Sequence, residues 1–262
     1  ALGQPDDADH GDALEAEGLP GDLFAGALGT IGGGNHFCEL QVAEGGDIDT
    51  SRAYLLVHSG SRGLGHAILT RQLADGLVHH ATEEAADYLV RHDAAVTWAR
   101  LNRRIIAKRA AAALRADLLP VADAAHNLII RHRDGWLHRK GAAVADGLVP
   151  LAGTRATHSY LVDAGSAGPD ALASMAHGAG RRHDRRSMHG RVSAKKSSLE
   201  ALRRRGSGGR VICDDKAMLI EEAPKAYKSA EQVLADLETL GVAREVARFR
   251  PVVTFKHAET RR

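Results

Sequence analysis

Apolar and polar residues alternate over Cys38–Val42, where Cys38, Leu40 and Val42 flank Glu39 and Gln41. That period of two predicts a half-buried strand. Ala53–Val57 (AYLLV) is a short apolar run that reads as a buried strand, and it stops at HSGSRGLG, a loop by composition. A long helical region is predicted over residues 66–117. Trp98, Leu101, Ile105 and Ile106 keep a helical spacing there, with Arg100, Arg103, Arg104 and Lys108 between them, and core packing of one face explains the pattern. From Ala122 onward, short apolar runs (NLII, GWLHRKGAAVADGLVPLAG, SYLVDAGSAG) alternate with glycine loops, predicting several strands joined by loops able to carry function. Ser198–Arg205 predicts a short basic helix before a flexible GSGG, Ala230–Val246 a further helix, and RPVVTF a terminal strand leading to Lys256. No internal repeat or long linker interrupts the series, so one α+β domain over residues 1–262 is expected.

Composition narrows the class. With 44% hydrophobic and 26% charged residues, the chain has enough apolar surface to offset chain entropy, which excludes a disordered protein. No apolar run approaches the ~18 residues of a membrane-spanning helix. Cys38 and Cys213 are the only cysteines and no pair has metal-ligand spacing, so a reducing, cytoplasmic setting is expected. The opening residues lack a basic n-region and an apolar h-region, and no signal peptide is expected. The net charge of +2 implies no partner, but its distribution is uneven. Residues 1–22 hold seven acids and no Lys or Arg, while residues 181–210 hold eleven Lys/Arg against Asp184 and Glu200. A block of that kind is either a solvated surface or a site for a phosphate-rich partner.

Fifteen histidines direct attention to the chemistry. His36 (GGGNHF), His58 (HSGSRG) and His126 (AHN) each border an apolar run, and neutral imidazole is the commonest ligand of divalent transition metals. Each can equally be an ordinary hydrogen-bonded histidine. HGAGR (His177–Arg181) is a second candidate: its glycines permit close backbone approach, so N–H groups could meet phosphate oxygens beside an arginine, with His177 as a nucleophile. A glycine-rich turn with a surface histidine is the plain alternative. GTIGGGNH is neither a GxGxxG fingerprint opening a helix nor a Walker motif, since GK[ST] is missing.

Seven motifs, in order, resemble one family: GTIGGGNHFCE, LLVHSGSRGLG, HN with HRKGA, GTRATHSYLV, SMAHGAGR, EAPKAYK and RPVVTFK. They run from Gly29 to Lys256 and are similar to RtcB-type RNA ligases. EAPKAYK followed by a helix and VARFRPVVTFK further resembles the branch coupled to peptide-chain release factor H. The resemblance implies mixed β-sheets packed together with peripheral helices around a central metal and nucleotide cleft. It implies joining of an RNA 3′-phosphate or 2′,3′-cyclic phosphate end to a 5′-hydroxyl end, in tRNA splicing or repair of damaged RNA, with GTP and Mn2+ and no membrane. His177 then falls on the guanylylated histidine, and His36, His58 and His126 on metal ligands. Asn35, Glu39, Asn127, Ala152, Gly153, Thr154, Arg155, Ser159, Gly178, Ala179, Gly180, Tyr227 and Lys256 fall on nucleotide contacts. Arg62, Arg181 and Arg185 suit the RNA end.

The sequence also departs from the family. The upstream glycine-rich segment, with an Asp and a Cys that bridges two ions, has no counterpart in these residues, and Cys38 and Cys213 are expected to be structural. Two explanations fit: the chain lacks the family's N-terminal part, or it is a naturally reduced paralogue. The opening without Met in a polar stretch favours the first. The nucleotide loop carries Arg155 and His158 in unusual places, and His183-Asp184-Arg185 replaces Met-Ser-Arg. The stretch after His126 is short and lacks a glutamate. Two other readings remain open, a non-catalytic RNA-end or GTP-binding relative and a metal-dependent RNA-end phosphodiesterase or phosphatase.

Overall fold

The computed structural model of the protein describes residues 7–76, 82–133, 135–165, 171–204 and 209–257. It divides into two compact units: Gly32–Val57, Leu119–His126 and Gly141–Arg262 in the larger, and Ala1–Ile31, His58–Leu118 and Asn127–Lys140 in the smaller.

The larger unit is organised by a six-stranded sheet. The path runs β2 (Ala53–His58), β1 (Phe37–Gly46), β10 (Arg244–His257), β7 (Ser159–Asp163), β6 (Leu148–Leu151), with β9 (Arg210–Cys213) also paired to β10. The long β10 has β1 antiparallel along one edge, from Cys38 opposite Phe255 to Gly46 opposite Ala247. On its other edge, β7 takes Arg244–Phe249 and β9 runs parallel beside Val253–His257. Pro251, which has no N–H to donate, lies between those two edge partners and opposite Gln41, where the β1 register shifts. A proline is tolerated in a central strand only at such an interruption.

Side chains of β7 alternate between two cores, as a period of two requires. Tyr160 and Val162 pack with Val149, Leu151, Leu234 and Leu237, whereas Leu161 packs with Ala247, Phe249 and Tyr54. Leu234 and Leu237 belong to α7 (Ala230–Thr239), capped by the Ser229 side chain, which accepts from the Gln232 N–H. The helix expected to reach Val246 therefore stops early. Gly241 takes φ +64, a left-handed turn that ends the helix, and Arg244 already lies in β10. RPVVTF is likewise part of the 14-residue β10. A third core joins α4 (Arg185–Met188), α5 (Lys196–Arg203) and α6 (Lys216–Glu221) through Met188, Leu199 and Ile220. The basic helix is thus α5; the residues of the GSGG loop before Gly209 lie outside the described ones. Two short strands, β5 (Ala142–Val144) and β8 (Ser174–Ala176), pair antiparallel.

In the smaller unit the predicted helical region is two helices, α2 (Leu64–Asp75) and α3 (Glu83–Leu114), with Gly76 at φ +99 after the first and Thr82 capping the second. With α1 (Asp7–Glu15), they enclose Leu14, Leu28, Leu64, Trp98 and Leu101. The hairpin of β3 (Asn127–His132) and β4 (Gly135–Lys140) completes the unit. The Ile129 N–H donates to His92 Nε2 of α3 at 2.9 Å. Helix α3 does more than pack. Its Asn102, 0% exposed, accepts the Gly29 N–H at 2.7 Å and donates through Nδ2 to the Thr30 carbonyl, the Ser59 hydroxyl and the Gly60 carbonyl. Sequence periodicity gave no sign of this polar hub.

Candidate metal and nucleotide site

Three histidines occupy strand ends. His36 immediately precedes β1, His126 precedes β3, and His58 is the last residue of β2, so it is carried by the sheet. Strand ends hold side chains in fixed directions, which lets residues distant in sequence converge. Within the larger unit the pair that converges is His126 and His177, both half-buried. Neutral imidazole is a donor that suits a divalent transition metal.

One expected metal histidine, His126, thus lies beside His177, the expected nucleophile. His36 marks the entry to β1, where its carbonyl accepts from Lys256 Nζ at 3.0 Å. The rings of His126 and His177 are stacked, centroids 3.8 Å apart and planes 16° from parallel. One glycine fixes both. The Gly141 N–H donates to the His126 carbonyl at 2.7 Å, and the Gly141 carbonyl accepts from His177 Nδ1 at 2.7 Å. A carbonyl oxygen can only accept, so Nδ1 carries the proton and the lone pair resides on Nε2. Gly141 has φ +78, which a side chain resists.

The HGAGR loop lies against the nucleotide-loop candidates. Ala152 N–H donates to the His177 carbonyl and Ala179 N–H to the Ala152 carbonyl, both at 3.0 Å. A Cβ on Gly178 would meet the Ala152 oxygen at 2.9 Å, and one on Gly153 would meet the His158 oxygen at 1.9 Å. Close approach explains both glycines. The phosphate cradle expected from loop amides is partly committed elsewhere. Gly153 N–H donates to Ser159 Oγ, Thr154 N–H to Thr157 Oγ1, Ala156 N–H to Thr154 Oγ1, and Ala179 N–H is engaged as above. Gly180, at φ +69, follows, and Asn35 sits in the turn before His36. Asn127 opens β3 opposite Lys140.

Glu39 and Lys256 are buried on neighbouring strands. Glu39 accepts from Gln41 Nε2 at 2.8 Å and from the Thr254 hydroxyl. Burial pushes the Lys256 ammonium down to about 8. Arg155 is buried too, donating to the Leu219 carbonyl at 2.8 Å. Burial, with Glu39 beside it, raises the Cys38 thiol to about 12, and burial raises Cys213 as well. Neither is a thiolate near neutral pH, as the structural role expected of them requires.

The arginines expected at the RNA end divide. Arg181 is turned inward: Nη1 donates to both oxygens of Glu222 at 3.1 Å, Nη2 to the Glu221 carbonyl, and Nε to the His183 carbonyl. Every nitrogen is engaged, so Arg181 ties the HGAGR loop to His183, Glu221 and Glu222. Arg185 also donates to Glu222, at 3.0 Å, but is 48% exposed. Arg62 donates to Thr30 Oγ1. Tyr227, expected to offer a ring face to a base, has the Arg181 guanidinium 5.1 Å from its ring centre, and its hydroxyl donates to Glu222. Desolvation and the Glu222 carboxylate raise that phenol. Glu222 was missed by sequence reading, although it opens EAPKAYK.

A family model described as tRNA-splicing ligase RtcB matches residues 22–257. The chain belongs to the RtcB family. It is 45% identical to the RNA-splicing ligase RtcB2 of Escherichia coli, with 88% of this chain and 65% of that protein covered. It is 32% identical to the tRNA-splicing ligase RtcB of Nanoarchaeum equitans (87% and 59%) and to the RNA-splicing ligase RtcB of Mycobacterium tuberculosis (87% and 64%). The chain thus spans less than two thirds of the length of these RtcB relatives. Its α+β architecture agrees with the fold that the motif resemblance implied. Among the described residues no helix is long and apolar enough to cross a membrane.

Proposed function

We propose that this RtcB chain is the nucleotidyl-transfer part of an RNA ligase that joins 3′-phosphate or 2′,3′-cyclic phosphate ends to 5′-hydroxyl ends, with GTP and manganese, in the cytoplasm. The observation that carries the reading is the Gly141–His177 hydrogen bond, which leaves the lone pair on Nε2 of a ring stacked on His126. Nε2 attacks the α-phosphorus of GTP, a P–N bond forms, and pyrophosphate leaves with the electron pair of the broken P–O bond. The proton stays on Nδ1, where its hydrogen bond to the Gly141 carbonyl stabilises the ring as it gains positive charge. An RNA 3′-phosphate oxygen then displaces the histidine, and the 5′-hydroxyl oxygen displaces GMP while releasing its proton. His58 and His126, with His36 as the remaining expected ligand, would hold the metal, which supplies charge neutralisation at the phosphates. Glu39 and Lys256 bind the guanine edge, with Asn35, Asn127 and the 152–155 and 178–180 segments around the nucleotide. The sequence likeness of EAPKAYK and VARFRPVVTFK supports a functional link to peptide-chain release factor H.

The test is covalent labelling of the natural full-length protein with α-labelled GTP and Mn2+. Wild type is expected to take label in an acid-labile, hydroxylamine-sensitive bond, and His177→Ala to take none. Unlabelled wild type overturns the ligase reading. Product analysis on a 2′,3′-cyclic phosphate RNA then separates hydrolysis by a phosphodiesterase from binding alone.

A further inference from the structure

We propose that an exposed cationic rim beside the HGAGR loop, made of Arg182, Arg186, Lys225 and Lys228, binds the sugar–phosphate backbone of the single RNA strand leading to the reacting end. The identity of the polyanion rests on the ligase reading above; the rim itself rests on geometry. Two of these residues follow the HGAGR motif and two come from EAPKAYK, so no local run in the sequence contains them all.

Main-chain hydrogen bonds bring the two segments together. The N–H groups of Arg182 and His183 donate to the Ala226 carbonyl at 2.8 and 3.2 Å, and the Lys228 N–H donates to the Gly180 carbonyl at 3.0 Å. Arg181 and Tyr227 face each other in an antiparallel bridge. Side chains alternate across such a pair. Arg181 and Tyr227 turn inward, onto each other and onto Glu222. Arg182 and Lys228 therefore leave on the opposite side, and both are exposed, as are Arg186 in α4 and Lys225.

The nearby acids make their contacts elsewhere: Glu222 is ion-paired with Arg181 and Arg185, Glu221 is hydrogen-bonded to His189, and Asp184 caps α4 by accepting from the Ser187 N–H. Arg182, Arg186, Lys225 and Lys228 have no ion pair among the described residues. In the same unit Arg204, Arg244, Arg248 and Arg250 are each paired with a carboxylate. Four cations without an ion pair, on flexible stems, suit evenly spaced phosphodiesters and need no base contact.

The experiment measures anisotropy of a short fluorescein-labelled single-stranded RNA with a 3′-phosphate, across a range of salt concentrations, without GTP or metal. Each phosphate neutralised on a single strand contributes about 0.7 to the slope of log affinity against log salt, so R182Q/R186Q/K225Q/K228Q is expected to flatten that slope by about 3. R210Q/K216Q, which removes exposed cations of the same unit outside the rim, is expected to keep the wild-type slope. Thermal unfolding checks that each variant is folded. A rim variant with the wild-type slope overturns the proposal, as does polyglutamate competing as well as RNA, which would assign the rim to an acidic protein surface. The readout needs no guanylylation. Protein that binds with the expected slopes but takes no label from GTP keeps this inference and loses the ligase reading.

Discussion

In the smaller unit the most buried polar group is Asn102, a neutral amide whose hydrogen bonds all tie down loop backbone or a hydroxyl. The smaller unit also buries Arg139, but the larger unit buries charges of both signs: Glu222 between two arginines and a phenol, and Lys256 with Glu39 on adjacent strands. A neutral hub of this kind has no spare affinity for an ion, and it fixes the Gly29–Thr30 and Ser59–Gly60 turns. Buried charges cost desolvation whether or not a ligand is present. Glu222 is compensated within the protein, so its task is to hold the HGAGR loop. Lys256 is not fully compensated, since burial shifts it strongly. That difference separates an ion cluster compensated within the protein from a buried cation that is not.

The sharpest way to break the comparison is Glu222→Ala. It leaves Arg181 facing an empty site, and losing one partner of a buried pair costs about 4 kcal/mol. Urea unfolding reads this; Glu222→Gln, which still accepts hydrogen bonds, is expected to recover part of it. A loss near zero would mean the cluster is not compensating anything. Asn102→Leu comes next. It strands the Gly29 N–H and removes the donors to both turns, an expected loss of about 3 kcal/mol in the same assay. A near-neutral result would reduce Asn102 to packing.

Lys256→Met is expected to go the other way. Burial holds the folded ammonium at about 8 against an ordinary 10.5, so the folded state carries its full penalty below pH 8. As pH rises from about 8 to 10.5 the unfolded chain binds more protons than the folded one, and wild-type stability increases. The variant should therefore be more stable at pH 7 by about 2 kcal/mol, after the lost Nζ–His36 hydrogen bond is discounted. That advantage should shrink through the same pH window, and guanine-nucleotide affinity should fall. A variant destabilised at pH 7 would make Lys256 structural. Smallest in stability is Gly141→Ala, about 1 kcal/mol for a side chain at φ +78. It should slow guanylylation more than it lowers stability, because relaxing the strained backbone moves the carbonyl that accepts from His177 Nδ1.

Much of this was legible in sequence. The alternation around Glu39 and the apolar run at Ala53 identified β1 and β2, and the strand-end positions of His36, His58 and His126 followed from those runs. Nucleotide-loop and HGAGR segments were found by motif, and the structure places them in main-chain contact. Periodicity failed where a glycine cut it, since Gly76 and Gly241 end helices that apolar spacing alone would extend. It also failed for long-range polar pairing. Arg181 stands in a basic block, and its partner, Glu222, is brought to it only by the fold. Asn102 sat unnoticed in a helix whose apolar face explained itself.

β10 has a consequence for biogenesis. The edge of β1 that sets Cys38 opposite Phe255 stays unpaired until β10 is made, and all three neighbours of β10 are made before it. At about 5–20 residues per second, a ribosome leaves the β1 edge without its mate for roughly 10–40 s. Nascent chains of this protein thus emerge with an open template for β-addition, and their yield at high expression should depend on chaperone supply more than on the stability of the finished molecule.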